Sequence, residues 1–212
     1  MSFIITLADP KQLPKLFKGE YLQGLGFPRI AFVGRSNVGK SSLLNALLGR
    51  RDARVSKTPG RTRAIHFFEW KDTATGANRI LSDMPGYGFA KGKASDREEW
   101  AKLIEAYLRA DTRLAQLLVL LDARHGPTKL DAEALEFLGS LNFSPSQVTF
   151  VFTKLDEVKT QSERARRFRE APAELAKLGF PDHRTFWISV EKKQGVRDLV
   201  QFLLSKELEQ PV

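Results

Sequence analysis

The residues with the clearest chemical potential lie between Gly34 and Ser41, where the chain reads Gly-Arg-Ser-Asn-Val-Gly-Lys-Ser. Glycines let backbone N–H groups curve round an anion, and a lysine followed by a serine supplies a positive charge and a hydroxyl ligand for Mg²⁺. The apolar run Ile30 to Val33 precedes this segment, and leucines follow it at helical spacing, at Leu43, Leu44, Leu47 and Leu48. The pattern predicts a phosphate-binding loop (P-loop) between a buried strand and a helix.

The whole P-loop is a candidate ligand for a phosphate chain. Lys40 would neutralise the charge of the terminal phosphate, and the Ser41 hydroxyl would hold Mg²⁺. An ordinary glycine-rich turn is the alternative, but the strand before it and the helix after it disfavour that reading. The predicted phosphate ligands are Gly34, Arg35, Ser36, Asn37, Val38, Gly39, Lys40, Ser41 and Ser42.

A second loop, Asp83-Met-Pro-Gly86, leaves the end of a predicted strand, Arg79 to Ser82. Asp83 would hold Mg²⁺ through a water molecule, and the Gly86 N–H would meet a terminal phosphate and so sense its presence. Alone, this motif is more often a simple turn. Its position one predicted hairpin after the P-loop favours the phosphate-sensing interpretation.

A third loop, Thr153-Lys-Leu-Asp156, follows another predicted buried strand. The Asp156 carboxylate could accept hydrogen bonds from N1–H and the exocyclic amine of guanine, a pair of donors that adenine lacks. The Lys154 stem could lie along the ring, and Ser189 and Val190 would close over the base from the last strand. A solvated helix start is the alternative, and the place of the motif after a core strand argues against it.

Buried apolar runs alternate with helical patterns through the rest of the chain, which is typical of a parallel sheet covered by helices on both faces. Residues 1–27 are predicted to be an N-terminal extension packed on the core, and residues 28–212 to be one domain. Pro172 is predicted to start a helix separate from the basic helix Ser162 to Arg169, because proline disrupts helix interiors.

The composition restricts the class of protein. The 212 residues contain no cysteine, which excludes disulfides and thiolate metal sites. Their formal net charge of +9 fits a polyanionic partner and a generally basic surface without a dedicated partner about equally well. No apolar run is long enough to cross a bilayer, and no secretory signal is apparent. We therefore expect a cytoplasmic protein without a membrane partner, and a monomer.

Together these loops resemble the nucleotide-binding motifs of the Ras-like GTPases, and more narrowly those of the EngB family (also called YihA or YsxC) of bacterial GTPases that assist assembly of the large ribosomal subunit. The resemblance extends from about Phe27 to near the end of the chain, and Asp83-Met-Pro-Gly-Tyr-Gly-Phe-Ala is its most specific part. Two further segments carry it, Thr58-Pro-Gly-Arg-Thr62 and Asp122-Ala-Arg-His125. It implies a P-loop NTPase fold of the Ras-like G-domain type, which binds GTP or GDP with Mg²⁺ and hydrolyses GTP to GDP and phosphate.

The resemblance also assigns roles within the loops. Thr62 would be the switch threonine that reaches Mg²⁺ and the γ-phosphate, with Gly60 and Arg61 beside it. The implied Mg²⁺ ligands are Ser41, Thr62 and Asp83, and the implied catalytic group is Asn37, Lys40, Thr62 and Gly86.

Catalysis is expected to be slow without help. The glutamine that orients the attacking water in Ras-type enzymes is replaced here by Tyr87. Stimulation could come from the ribosome, from Arg61 or Arg63, or from K⁺, since Asn37 resembles the cation-binding asparagine of potassium-stimulated GTPases. A nucleotide-binding scaffold with negligible hydrolysis, or a related GTPase acting on another RNA, remain the alternatives.

The expected partners are the large ribosomal subunit and its rRNA. Basic residues cluster at 50–63, at Lys91, Lys93 and Arg97, and at Arg164, Arg166, Arg167 and Arg169. Two of these clusters lie in or near nucleotide-sensing loops, which would couple the nucleotide state to rRNA affinity. For residues 164–169, a solvated helix face is almost as good an interpretation.

Overall fold

The structure, a computed structural model, describes residues 3–18, 26–49, 64–88 and 94–205. Within these ranges the chain forms one seven-stranded sheet with helices on both faces. The strands are β1 (Phe3–Leu7), β2 (Arg29–Gly34), β3 (Ile65–Lys71), β4 (Asn78–Asp83), β5 (Leu114–Asp122), β6 (Val148–Thr153) and β7 (Arg184–Trp187). The helices are α1 (Leu13–Lys18), α2 (Lys40–Leu48), α3 (Ala94–Ala110), α4 (Lys129–Gly139), α5 (Gln161–Lys177) and α6 (Val196–Leu203).

The strand order in the sheet is β1-β3-β4-β2-β5-β6-β7. Strand β3 runs antiparallel to both of its neighbours, whereas β4, β2, β5, β6 and β7 are mutually parallel. The predicted mostly parallel α/β architecture is therefore confirmed. Because the parallel strands share a direction, their carboxyl ends meet along one side of the sheet, called here the carboxyl edge, where open α/β sheets bind ligands.

Alternate residues of the central strands point to opposite faces and form two separate cores. On β2, Ala31 and Val33 pack with α1, α3, α4 and α5, whereas Ile30 and Phe32 pack with α2 and α6. All nine residues of β5 are buried, as expected for a central strand covered on both sides. Burial of both faces explains why the central strands read as continuous apolar runs.

The prediction of a separate helix at Pro172 was wrong. One helix, α5, continues through this residue from Gln161 to Lys177. Ala171 and Leu175 are buried on either side of the proline in successive turns, so α5 keeps a continuous packed face. This burial offsets the roughly 3 kcal/mol that an internal proline costs a helix.

The N-terminal segment contributes directly to the core. Strand β1 extends the sheet by pairing with β3, and Leu7, Leu13 and Leu16 are buried in the core under α3. The boundary at residue 27 stays a prediction, because residues 19–25 lie outside the described part of the chain.

A buried ion pair joins the beginning of β2 to the end of α3, on the side of the sheet opposite the carboxyl edge. Arg29 Nε donates to Asp111 Oδ1 at 2.6 Å, and these side chains are 1% and 0% exposed. The Tyr107 hydroxyl donates to Asp111 Oδ2 at 2.6 Å, and the Arg113 N–H donates to Oδ1 at 3.0 Å. Burial, together with the Asp111 charge, raises the pKa of Tyr107 well above its usual value.

Among the described residues, no helix has the length and apolar character needed to cross a bilayer.

Candidate functional site

The P-loop runs from the end of β2 into the first turn of α2 at the carboxyl edge. Asn37 and Gly39 have left-handed backbones, with φ values of 64° and 107°. Gly39 is the N-cap of α2, and no side chain caps the helix there. The N–H groups of the first turn of α2 are therefore available to an anion, with the positive end of the helix dipole behind them.

Lys40 and Asp83 meet directly at this site. The Lys40 Nζ forms an ion pair with Asp83 Oδ1, although 43 residues separate them in sequence. Asp83 ends β4, which lies beside β2 in the sheet, and its side chain is largely buried. The structure thus brings the predicted phosphate-binding lysine and the predicted magnesium-binding aspartate together, and Ser41 directly follows Lys40 in the chain.

The segment that follows Asp83 lies against the P-loop. Ser36 N donates to the Tyr87 carbonyl at 3.0 Å, and the Trp100 Nε1 of α3 donates to the Pro85 carbonyl at 2.7 Å. A Cβ at Gly86 would lie 3.1 Å from both Ser36 N and Ser36 Oγ. Glycine at position 86 is therefore what lets the two loops approach this closely.

Tyr87 is held by α4. Its side chain is 7% exposed, and its hydroxyl donates to Asp131 Oδ1 at 2.8 Å. Burial, together with the charge of Asp131, raises the pKa of Tyr87 well above its usual value, so the hydroxyl stays protonated. Asp131 also accepts from the N–H and hydroxyl of Thr128 in the capping box of α4. Sequence reasoning missed Asp131, although its spacing from Thr128 is that of a capping box.

The Thr153 to Asp156 segment is fastened to the P-loop. The Thr153 hydroxyl donates to the Val38 carbonyl at 2.5 Å. Lys154 follows with a left-handed backbone, φ 58°, and Asp156 lies in a single 3₁₀ turn, Leu155–Glu157. Within the described ranges, the Asp156 carboxylate has no hydrogen-bond partner, so its acceptors remain available.

The closing loop after β7 lies beside this turn. Leu155 N donates to the Ile188 carbonyl at 3.0 Å, immediately before Ser189. Ser189 is fully buried, and its hydroxyl accepts from the Lys192 N–H at 3.0 Å. Ser189 and Gln194 also exchange two backbone hydrogen bonds, so a tight loop carries Val190 at the carboxyl edge.

A group of charged residues beside Asp156 was not assigned a role from sequence. Asp122, at the end of β5, is held by Arg124, and Arg124 also pairs with Glu157. Burial would raise the pKa of Asp122, but hydrogen bonds from Arg124 and the charge of Lys154 outweigh it and lower the pKa to about 2. In the sequence, the segment Asp122-Ala-Arg-His125 marks two members of this group, Asp122 and Arg124. It does not reveal their distant partner Glu157.

The predicted switch residues Gly60, Arg61 and Thr62 lie outside the described residues, as do the basic residues 50–63, Lys91 and Lys93. On α5, the buried Arg167 fits neither interpretation of the basic cluster, an RNA-facing surface or a solvated helix face. Arg167 is 6% exposed and pairs with Glu170 and Glu174. It packs against Gly126, where a Cβ would lie 1.8 Å from its Nη2, so it serves to dock α5.

Comparisons with known proteins agree with this geometry. A family model described as "50S ribosome-binding GTPase" matches residues 29–154. A probable GTP-binding protein EngB of Bradyrhizobium diazoefficiens is 50% identical over 157 residues, covering 72% of this chain and 69% of that protein. One from Gemmatimonas aurantiaca is 49% identical over 140 residues, covering 66% of this chain and 65% of that protein.

Solved structures show the same fold. The structure of Era in complex with MgGDPNP and a segment of 16S ribosomal RNA superposes with a TM-score of 0.66 and 27% identity, covering 84% of this chain and 56% of that one.

Proposed function

Because the chain belongs to the EngB family of GTP-binding proteins, we propose that it hydrolyses GTP to GDP and phosphate and acts as a nucleotide switch in assembly of the large (50S) ribosomal subunit. The observation that carries the proposal is the meeting of three loops at the carboxyl edge: the P-loop, the loop after Asp83 and the turn that holds Asp156. One supplies phosphate ligands, one senses the terminal phosphate, and one reads the base.

The phosphate chain would lie on the N-terminus of α2, whose first N–H groups have no side-chain cap. Residues Gly34 to Ser42 would surround it, and Lys40 would leave Asp83 to neutralise the terminal phosphates. Mg²⁺ takes oxygen ligands: the Ser41 hydroxyl would provide one, Asp83 would hold the ion through a water molecule, and Thr62 is the proposed third residue. When bound, the metal would offset negative charge on the phosphate oxygens.

Guanine would be recognised by Asp156, with Lys154 along the ring and Ser189 and Val190 closing the site. The free acceptors of Asp156 fit a base with two adjacent donors. The proposed nucleotide is therefore GTP or GDP.

Hydrolysis is expected to be slow in the isolated protein. Tyr87 occupies the position from which a glutamine would orient water, and its hydroxyl is already committed to Asp131. The ribosome, Arg61 or Arg63, or a monovalent cation would supply the missing stabilisation of the charge that develops in the transition state. Because the Tyr87 hydroxyl already binds Asp131, a nucleotide-binding scaffold with negligible hydrolysis is the second candidate function.

The proposed partner follows from family and charge. The matching family model is named for 50S binding, Era is seen with 16S rRNA, and this chain carries a net charge of +9. A basic surface binds rRNA phosphates and releases counterions. We propose a cytoplasmic monomer that binds the large subunit in one nucleotide state.

Phosphate release measured with and without purified large subunits separates the switch from the scaffold. We expect a slow basal rate and an acceleration of about 100-fold by the subunits, the size of effect that one added stabilising group supplies. Small subunits at the same concentration are the control. No release above background in either condition would favour the scaffold.

A second prediction concerns potassium. Asn37 is exposed in the P-loop, and within the described ranges its side chain has no hydrogen-bond partner. We expect hydrolysis on the order of tenfold faster in K⁺ than in Na⁺ at equal ionic strength, because a fixed cation would offset charge developing between the β- and γ-phosphates.

The variant Asn37→Gly tests this directly. It removes the side-chain oxygen while keeping the left-handed φ of 64° accessible, which alanine would not. The difference between the two salts should vanish, with GDP affinity nearly unchanged. Equal steady-state rates in K⁺ and Na⁺ for the parent protein would exclude the cation.

A further inference from the structure

Arg124 uses three of its nitrogen atoms to bridge two carboxylates. Its Nε lies 2.9 Å from Asp122 Oδ1 and its Nη2 lies 2.7 Å from Asp122 Oδ2, which is a two-point pairing. Its Nη1 lies 2.5 Å from Glu157 Oε2. The guanidinium therefore ties the end of β5 to the turn after β6, with the directional geometry that a fork of donors provides.

Asp122 also holds Lys154. The Lys154 Nζ is 3.3 Å from Asp122 Oδ2, and the Asp122 side chain is only 1% exposed. A carboxylate removed from water in this way depends on its cations, and both of them come from loops at the carboxyl edge. The strand register fixes Asp122 itself, since it lies opposite Thr153 in the sheet.

These contacts fix both ends of the base-reading turn. Lys154 precedes the turn Leu155–Glu157 and Glu157 ends it, and Asp156 lies between them. The Glu157 N–H also donates to the Lys154 carbonyl at 2.9 Å. Hydrogen bonding to Asp122 raises the pKa of Arg124, and the negative charges of Asp122, Glu157 and Asp156 add to that effect.

We infer that Asp122, Arg124 and Glu157 are positioning residues for guanine selection. Arg124 fixes Asp122 and Glu157, these fix Lys154 and the 3₁₀ turn, and the turn then presents the Asp156 carboxylate at one angle. None of the three is among the residues proposed to contact the base, and the inference rests on the proposed function. Preorganising a charged acceptor in this way strengthens discrimination, because the carboxylate does not have to reorient when it binds.

Inosine diphosphate provides a readout that overall stability does not affect. Hypoxanthine keeps the N1–H donor of guanine but lacks the exocyclic amine, so a well-placed Asp156 loses one of two hydrogen bonds. If the turn loosens, GDP loses more affinity than IDP, and the GDP-to-IDP affinity ratio falls. A change that only destabilises the fold leaves that ratio unchanged.

The experiment measures GDP and IDP dissociation constants for the full chain and for Arg124→Gln and Glu157→Gln. We expect the affinity ratio to fall about tenfold in Arg124→Gln and about threefold in Glu157→Gln, since the first breaks two charged contacts and the second breaks one half-exposed contact. In the double variant the two effects should not add, because both act through one side chain.

Glu105→Gln is the matched control. It removes an exposed pair with Arg109 on α3, at 2.9 Å, and it should leave the ratio unchanged. If Arg124→Gln does not fold, Glu157→Gln decides the question alone. A parental ratio in the folded variants overturns the inference while leaving the proposed function intact, whereas failure of the parent to bind GDP overturns both.

Discussion

Replacing Asp156 with asparagine should weaken GTP binding on the order of 10⁴-fold and create a preference for xanthosine triphosphate. The amide presents one donor and one acceptor, so one of the two guanine donors faces another donor. Sites built for a particular hydrogen-bonding pattern reject a mismatched partner by factors of this size. Xanthine has a carbonyl in place of the exocyclic amine, and this carbonyl accepts a hydrogen bond from the asparagine NH₂ group.

Equilibrium binding of GTP and xanthosine triphosphate to both proteins measures the effect. Asp182→Asn is a suitable control, because it makes the same chemical change at an exposed residue whose left-handed φ of 54° asparagine tolerates. Unchanged GTP affinity in Asp156→Asn would place the base elsewhere.

The variant Asp111→Asn should lose about 3–5 kcal/mol of unfolding free energy, the cost of removing one partner from a buried ion pair. Arg29 would keep its charge in a site where both side chains are almost fully excluded from water. The amide would also turn a donor toward one of the three donors that now converge on the carboxylate. Urea unfolding of the two proteins gives the difference directly.

An exposed ion pair on the surface provides the comparison for this loss of unfolding free energy. Glu105→Gln breaks an exposed ion pair between residues one helical turn apart, and it should lower the unfolding free energy by only about 0.3–0.5 kcal/mol. GDP affinity of folded Asp111→Asn should match the parent, because the pair lies across the sheet from the carboxyl edge. A loss no larger than that of Glu105→Gln would contradict the structural role assigned to Asp111.

The fold was predictable from sequence because its strongest signals are local. Continuous apolar runs marked β2, β5 and β6, and the glycine-rich loop marked the turn between β2 and α2. Asp83 and Asp156 could be proposed as site residues because each directly follows a strand that the sequence indicates. Since parallel strands end at the same edge, their loops had to converge.

The errors and omissions came from contacts between segments that are distant in sequence. A run of arginines on α5 gives no sign that Arg167 is buried against Gly126 while its neighbours Arg166 and Arg169 remain exposed. The Arg29–Asp111 pair spans 82 residues and the Tyr87–Asp131 hydrogen bond spans 44. Helix α5 passes through Pro172 because tertiary packing outweighs a local preference, which a local pattern does not reveal.

In the proposed function, the bound nucleotide controls the affinity of the protein for the large subunit. Cosedimentation of the protein with purified large subunits, in a non-hydrolysable GTP analogue and in GDP at the same salt concentration, tests it most directly. We predict at least about fivefold tighter binding with the analogue, the lower end of typical coupling between two sites. Equal binding in the two nucleotides would contradict the account.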